Sequence, residues 1–428
     1  MWLNRSRKEK KKLMSDALRC RLINPTSAED IRSILKQIGV DPWAVGYLSK
    51  KGENLFFLID NIDNKAANIL KQEMLSLGSD AGLNRNVSRF VNGKTSVLLF
   101  SSKANLEKLE LKLKNQPFGL KGLSDLIRSS LGNRSAKEQR EFKVGKKNFI
   151  LSKKTVIFGI LNITPDSFYD GGRYFKSEKA FERVKTLINE GADIIDVGGE
   201  STRPGAQVIS VEEELRRVLP VVESVKSRND VPVSVDTYKA GVAMRCLKKG
   251  AAMINDVSAL RFDKEMVHVV KDFNVPIVLM HMKGHPRTMQ KAPFYKDCIS
   301  EIYSFFEQRI EYALKNGIAP KKIILDPGIG FGKRLEDNLE ILKRINEFKS
   351  LGFPMLVGSS RKTFIGKILE NNKKITSNLS SPFHRLEGTI ASCLWVVGQG
   401  VEMLRVHDPG EISKAVAVYK AIKNQRIN

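Results

Sequence analysis

Cysteine is scarce in this sequence and scattered where it occurs. Cys20, Cys246, Cys298 and Cys393 are the only four in 428 residues. None forms a CxxC pair, so neither a zinc site nor a disulfide framework is encoded. Core packing is expected for at least two of them, in a reducing, cytoplasmic setting. Long apolar runs are missing as well. No stretch of about 18 uninterrupted apolar residues exists, so no membrane span is expected. The basic start at 5–12 is not followed by the long apolar core of a secretion signal. Acidic residues are outnumbered, 47 Asp+Glu against 72 Lys+Arg, for a net charge of +25. The basic residues are spread along the chain, and aromatics make up only 7%. Basic and aromatic residues do not interleave in an array, which argues against nucleic acid as a partner. The charge is read as a solvated basic surface with weak steering of anionic substrates.

What is present is a rhythm. Eight short apolar runs follow Thr155: TVIFGILNIT (155–164), ADIIDVGGEST (192–202), VPVSVDT (231–237), AAMINDVS (251–258), PIVLMHM (276–282), IILDPGIG (323–330), PMLVGSSRK (354–362) and VEMLRVHD (401–408). Helical spacing of apolar residues is found between or after them, at 177–190, 211–226, 239–249, 262–272, 297–316, 335–349, 386–399 and 410–424. A strand–helix unit repeated eight times predicts an α/β fold, a closed (β/α)8 TIM barrel. Such a barrel takes about 250 residues, so this chain has room for a second domain. Residues 1–131 read as a small N-terminal α/β domain. Ser27 and Asp30 cap a first helix, LFFLID (55–60) and SVLLFSS (96–102) are strands, and helices follow at 66–77 and 105–116. This domain has no glycine-rich phosphate loop and no metal-ligand cluster. The polar segment 132–147 reads as a linker, and 148–428 as the barrel.

In a barrel of this kind the reactive groups stand where strands end. Here those ends carry Asn162, Thr202, Arg203, Asp236, Asn255, Asp326, Lys362, Arg405 and His407. A lone aspartate is usually a satisfied structural acceptor. Asp236, Asn255 and Asp326 on three separate strands instead suggest a wall of acceptors for a flat, nitrogen-rich ring. A carboxylate takes two parallel N–H bonds from an amino-pyrimidine edge much as it does from a guanidinium group. Lys362, Arg405 and His407 leave the seventh and eighth strands, the frequent phosphate position of this fold. With Asn162 available to Mg²⁺, which prefers few protein oxygens plus phosphate oxygens, they suggest a diphosphate. The first loop carries Asp166 and Asp170, the second Arg203. Both loops read as movable, and Asp170 and Arg203 are able to clasp over a substrate.

Taken in order, GILNITPDSFYDGG, DVGGESTRPGA, SVDT, GAAMINDVSA, LDPGIGFGK, GSSRK and RVHD resemble the dihydropteroate synthase family over roughly 150–428. The first domain resembles an extension found in some bacterial members. The resemblance implies a transferase of folate synthesis, with 4-aminobenzoate attacking the methylene carbon of (7,8-dihydropterin-6-yl)methyl diphosphate to give 7,8-dihydropteroate and diphosphate. It implies that Asp236, Asn255, Asp326 and Lys362 hold the pterin. Asn162, Arg405 and His407 would hold the diphosphate and Mg²⁺. Thr202, Arg203 and Pro204 would shape the aminobenzoate site with Phe331 and the loop Ser360 to Lys362, where sulfonamides compete. Asp326, Lys362, Asp166 and Arg203 are the candidate catalytic groups, in an SN1-like loss of diphosphate. A homodimer through the last two barrel helices is expected. Two rival readings are a pterin-dependent methyltransferase of the same barrel family and a non-catalytic pterin-binding relative. The cationic set at the last two strands and the intact first and second loops favour the synthase.

Overall fold

In a computed structural model the described residues are 23, 25, 27–89, 91–135, 140–163, 173–201, 207–371 and 382–425. They form two compact units, Met1–Arg128 with Gln425–Asn428, and Ser129–Asn424.

The first unit opens on helix Ala28–Gln37, with Ser27 and Asp30 closing a reciprocal capping box. Strands β1 (Asn54–Asp63), β2 (Asp80–Leu83) and β3 (Lys94–Ser102) form an antiparallel sheet in the order β1-β3-β2. Leu55, Val97 and Leu99 are buried, as are Leu70 and Met74 of helix Asn64–Ser76 and Leu106 and Leu109 of helix Lys103–Leu113. The capped helix, the two long strands and these last two helices follow the sequence expectation. Strand β2 and helix Pro42–Gly52 do not, because DAGL is too short and PWAVGYLSKKG too irregular in its apolar spacing to signal an element.

Where the sequence reads a linker, the chain is more ordered. Helix Leu120–Ser135 runs into that segment, and β4 (Glu141–Val144) and β5 (Lys147–Ile150) follow as a hairpin. Phe142, Val144 and Phe149 alternate with lysine, glutamate and asparagine, so the period-two pattern lies hidden among charges. These three side chains, with Leu151, pack against Val156, Phe158, Ile194, Met253, Val278, Ile324, Leu356 and Met403. The hairpin therefore plugs the end of the barrel where its strands begin.

The barrel strands are β6 (Val156–Asn162), β7 (Ile194–Gly198), β8 (Val233–Asp236), β9 (Met253–Asp256), β10 (Ile277–Met280), β11 (Ile323–Asp326), β12 (Leu356–Val357) and β13 (Met403–Val406). All eight expected strands are present, paired in parallel in the order β11-β10-β9-β8-β7-β6-β13-β12. A parallel bridge between Leu325 and Met355 links the two remaining edges. The strands are buried on both faces, as helices on the outside require. One helix went unread. Thr363–Glu370 directly follows the SSRK loop, and its eight residues include a glycine and two isoleucines. Gly366 is needed there, since a Cβ would stand 2.9 Å from the Arg385 guanidinium. Cys246, Cys298 and Cys393 are free and buried. Among the described residues no helix is long and apolar enough to cross a membrane.

Candidate active site

Parallel register brings strand ends to one level. Asn162 pairs with Gly198, Gly198 with Asp236, and Asp236 with Asn255. Met280 pairs with Asp326 in the same way. A Cβ on Gly198 would lie 3.5 Å from Asn162 Oδ1 and 3.7 Å from Asp236 Oδ2, so the glycine leaves the space between them open.

One flank of this space is acidic. Arg405 reaches across from β13, donating from Nε to Asp196 Oδ2 at 2.6 Å and from Nη2 to Asp236 Oδ2 at 2.8 Å. Asn255 Nδ2 also donates to Asp196 Oδ2, at 3.2 Å. The remaining oxygens of Asp196 and Asn255, Oδ1 in each, are buried with no hydrogen-bond partner. Asp326 Oδ1 accepts the Gly328 N–H at 2.7 Å. Buried acceptors without donors cost about 1–3 kcal/mol each, so a cluster of them is kept for something that supplies the missing N–H groups. Burial pushes Asp236 up to about 7 against the pull of Arg405, and Asp326 up to about 6 against the Gly328 N–H and Lys362. Burial opposes the Arg405 charge too, yet Asp196 and Asp236 hold its pKa above the ordinary guanidinium value.

The other flank is cationic. Lys362 Nζ lies 4.0 Å over the Phe331 ring, and its charge lowers the pKa of both Asp236 and Asp326 against their burial. Two residue pairs tie the seventh loop to the eighth. His407 Nδ1 and Ser360 Oγ are 3.0 Å apart, and the His407 N–H donates to Ser360 Oγ at 3.2 Å. Arg361, in left-handed backbone at φ 57°, pairs with Asp408 through Nε at 2.9 Å and through Nη2.

The fold thus gathers Asn162, Asp236, Asn255, Asp326, Phe331, Ser360, Lys362, Arg405 and His407 at the carboxyl ends of the strands. Asp166, Asp170, Thr202, Arg203 and Pro204 lie outside the described residues, and with them the clasp between Asp170 and Arg203. Asp256 is not part of the wall. Its carboxylate accepts the N–H groups of Ser258 and Leu260, both at 2.7 Å, and holds the turn after β9. Arg405 is bound to the acidic flank through Asp196 and Asp236.

Some residues escaped sequence reading. Asp196 is the most important, and it had a signal: it is the one charged residue in a strand that is otherwise wholly apolar. The apolar shelf of Val257, Met280, Met282 and Met289 around Phe331 had none, since these residues look like ordinary core. Lys333 is also new. Its Nζ lies 2.9 Å from His281 Nδ1 and donates to the Phe331 carbonyl at 3.0 Å. Burial lowers Lys333 to about 7 and pushes His281 well below its usual range. This strut holds the sixth loop on the fifth at van der Waals distance. A Cβ at Gly328 (φ 64°) would stand 2.1 Å from the His281 carbonyl oxygen. Among the described residues no three His, Cys, Asp or Glu side chains gather to hold a metal.

Residues 158–407 match the family model described as pterin binding enzyme. The chain is 43% identical over 279 residues to a dihydropteroate synthase of Synechocystis, which covers 65% of this chain and 94% of that protein. It superposes on the Yersinia pestis dihydropteroate synthase, crystallised as a sulfonamide drug complex, with a TM-score of 0.61 and 38% identity, over 67% of this chain and all of the other. A probable bifunctional folylpolyglutamate synthase/dihydropteroate synthase of Halobacterium salinarum is 36% identical over 400 residues, 93% of this chain and 46% of that protein. That last match takes in most of the first unit as well as the barrel.

Proposed function

We infer the working of the site from one premise: this chain belongs to the pterin-binding enzymes and, among them, to the dihydropteroate synthases. It is a transferase of folate synthesis that joins (7,8-dihydropterin-6-yl)methyl diphosphate to 4-aminobenzoate, releasing diphosphate and 7,8-dihydropteroate.

In the reading we propose, Asp236, Asn255 and Asp326 hold the pterin, with Asp196 beneath them and Lys362 above. The observation that carries it is the pair of buried, unpartnered acceptor oxygens on Asp196 and Asn255, beside the Asp326 carboxylate. The ring's N–H groups fill those vacancies, and the apolar shelf around Phe331 receives its flat face. His407, Ser360 and Asn162 face the diphosphate. The chemistry of one exposed amide oxygen plus a diphosphate fits Mg²⁺, which takes few protein ligands. Asn162 would hold the ion, which when bound neutralises the leaving anion's charge. Thr202, Arg203 and Pro204 shape the arylamine site together with Phe331 and the Ser360 to Lys362 loop. Sulfonamides compete there. Asp166, from the first loop, engages a cation or an arginine over the closed site.

An arylamine is a weak nucleophile, while a charge-neutralised diphosphate leaves readily. Positioning and electrostatic stabilisation therefore provide most of the rate. As the C–O bond breaks, positive charge spreads from the methylene into the pterin, and Asp326 stabilises it. The bond to the amine nitrogen forms afterwards, which is an SN1-like path. Ring-substituted 4-aminobenzoates test this order of events. Single-turnover rates at saturation should be nearly independent of amine basicity, and a steep dependence would mean direct displacement. The enzyme is proposed to work as a cytoplasmic homodimer through helices Leu386–Gly398 and Pro409–Asn424, which expose Trp395, Val418 and Ile422.

A further inference from the structure

A buried charge cluster lies behind the second loop, and among its members Tyr238 also packs against the apolar shelf around Phe331. Lys239, immediately before helix Ala240–Lys248, sends its side chain inward. Its Nζ donates to Glu200 Oε2 at 2.5 Å, to Glu214 Oε2 at 2.7 Å and to the Ile209 carbonyl at 2.7 Å. All three N–H directions of the ammonium group are thereby used. The side chains are 11%, 7% and 1% exposed for Lys239, Glu200 and Glu214. Glu200 is held a second time by the Tyr238 hydroxyl, which donates to Oε1 at 2.8 Å. The Ile209 N–H donates to Glu200 Oε2 at 3.2 Å.

The layout of these contacts is informative. Glu200 follows the exit of β7, and Ile209 precedes helix Val211–Arg228. Lys239 therefore holds both ends of the segment 200–209 at one point, and Glu200 bonds the far end directly. The near end is fixed further. Arg217 Nη1 donates to the Gly199 carbonyl at 2.9 Å, and a Cβ on Gly199 would stand 2.7 Å from Val218 Cγ1. An ion pair that served only the packing of two helices would have no reason to engage both ends of a loop. Burying one cation with two carboxylates is costly, and burial pushes the Glu214 carboxyl up. Such a cluster persists where it fixes a specific geometry.

We propose that Glu200 and Lys239 are positioning residues for the arylamine, acting by clamping the two stems of the second loop. The proposal rests on the reading that Thr202, Arg203 and Pro204, which lie between the clamped ends in sequence, shape the arylamine site. The clamp sets where that segment starts and finishes relative to Asp236, two residues before Tyr238 on the same chain. The acceptors of the pterin wall are carried by other side chains, none of which hydrogen-bonds to Glu200 or Lys239.

The test compares steady-state constants for both substrates in Glu200→Ala, Glu200→Gln, Lys239→Met and Arg203→Ala. Small displacements of a positioned group cost up to about a hundredfold, so Glu200→Ala and Lys239→Met should raise KM for 4-aminobenzoate about tenfold or more. KM for the pterin diphosphate and kcat should stay within about threefold of the parent. Glu200→Gln keeps an acceptor for Lys239 and should bring the arylamine KM back to within about threefold. Because Lys239→Met leaves two carboxylates buried, Glu200→Ala, which leaves Lys239 paired with Glu214, decides the matter if Lys239→Met does not fold. Arg203→Ala separates the two levels of the argument. If it raises the arylamine KM and Glu200→Ala does not, the clamp is wrong and the loop assignment stands. If Arg203→Ala leaves that KM unchanged, the loop assignment is wrong and the clamp proposal falls with it. A Glu200→Ala enzyme that loses thermal stability with both KM values unchanged is a packing defect and overturns the proposal.

Discussion

Arg405→Met should cost about 3–5 kcal/mol of folding stability, the usual result of removing one partner from a buried ion pair. It should also lower kcat/KM by about a hundred- to a thousandfold. In the parent, one guanidinium neutralises two carboxylates, Asp196 and Asp236, through separate nitrogens. Methionine fills much of the volume and supplies no charge. The penalty has a definite pH dependence. Asp236 already sits at about 7 in the folded protein, against an ordinary carboxyl value near 3.8. Without Arg405 it rises further, so the folded variant prefers the protonated acid. The penalty is therefore largest above about pH 7 and shrinks as the pH falls toward 5 and the carboxyl is neutralised. Denaturant titrations of parent and variant at the two ends of that range check both sign and size. Equal stability at high pH would mean that the triad is less buried or less coupled than described.

Asp326→Asn should weaken pterin binding about a hundredfold, the scale of a hydrogen bond to a charged group. It should also remove one titration from the binding curve. The parent Asp326 is held at about 6 by burial. The pterin edge presents N–H donors, which the ionised carboxylate accepts at both oxygens, whereas the protonated acid turns one of those oxygens into a competing donor. The Asp326 contribution to affinity is thus full above about pH 6 and falls about tenfold per unit below it. Stability of the free protein runs the other way. A carboxyl raised from 3.8 to about 6 on folding favours the folded state at low pH, and that contribution is lost as the pH rises through 6. In Asp326→Asn the step near 6 should vanish from pterin binding, while the one near 7 from Asp236 remains. Calorimetric titration with a pterin across this range measures both.

Much of this was legible in the sequence because a parallel barrel repeats itself. Each strand is an apolar run ending in a polar residue, and parallel pairing sends all the ends to one rim. Asp236, Asn255 and Asp326 could therefore be assigned to one pocket although they are far apart in the chain. What escaped depends on contacts that no local pattern encodes. Spacing along the chain groups Arg405 with His407, and only the ring closure that brings β13 beside β6 and near β7 shows Asp196 beneath it. The hairpin β4–β5 looked like a linker because its apolar residues alternate with charges, and its burial comes from the barrel it plugs. The Lys239 cluster joins residues 200, 209, 214 and 239 around a loop whose ends look unremarkable when read along the chain.

The division of the site into an acceptor flank for the ring and a cationic flank for the leaving anion is tested most directly with the two halves of the substrate offered separately. A pterin lacking the diphosphate, and inorganic diphosphate with Mg²⁺, are each titrated into the parent, Asp326→Asn and His407→Ala. The account predicts that Asp326→Asn loses the pterin and keeps diphosphate within about twofold, while His407→Ala does the reverse, since distant contacts act independently. Two variants that each weaken both halves alike, or a His407→Ala protein that loses the bare pterin, would contradict it.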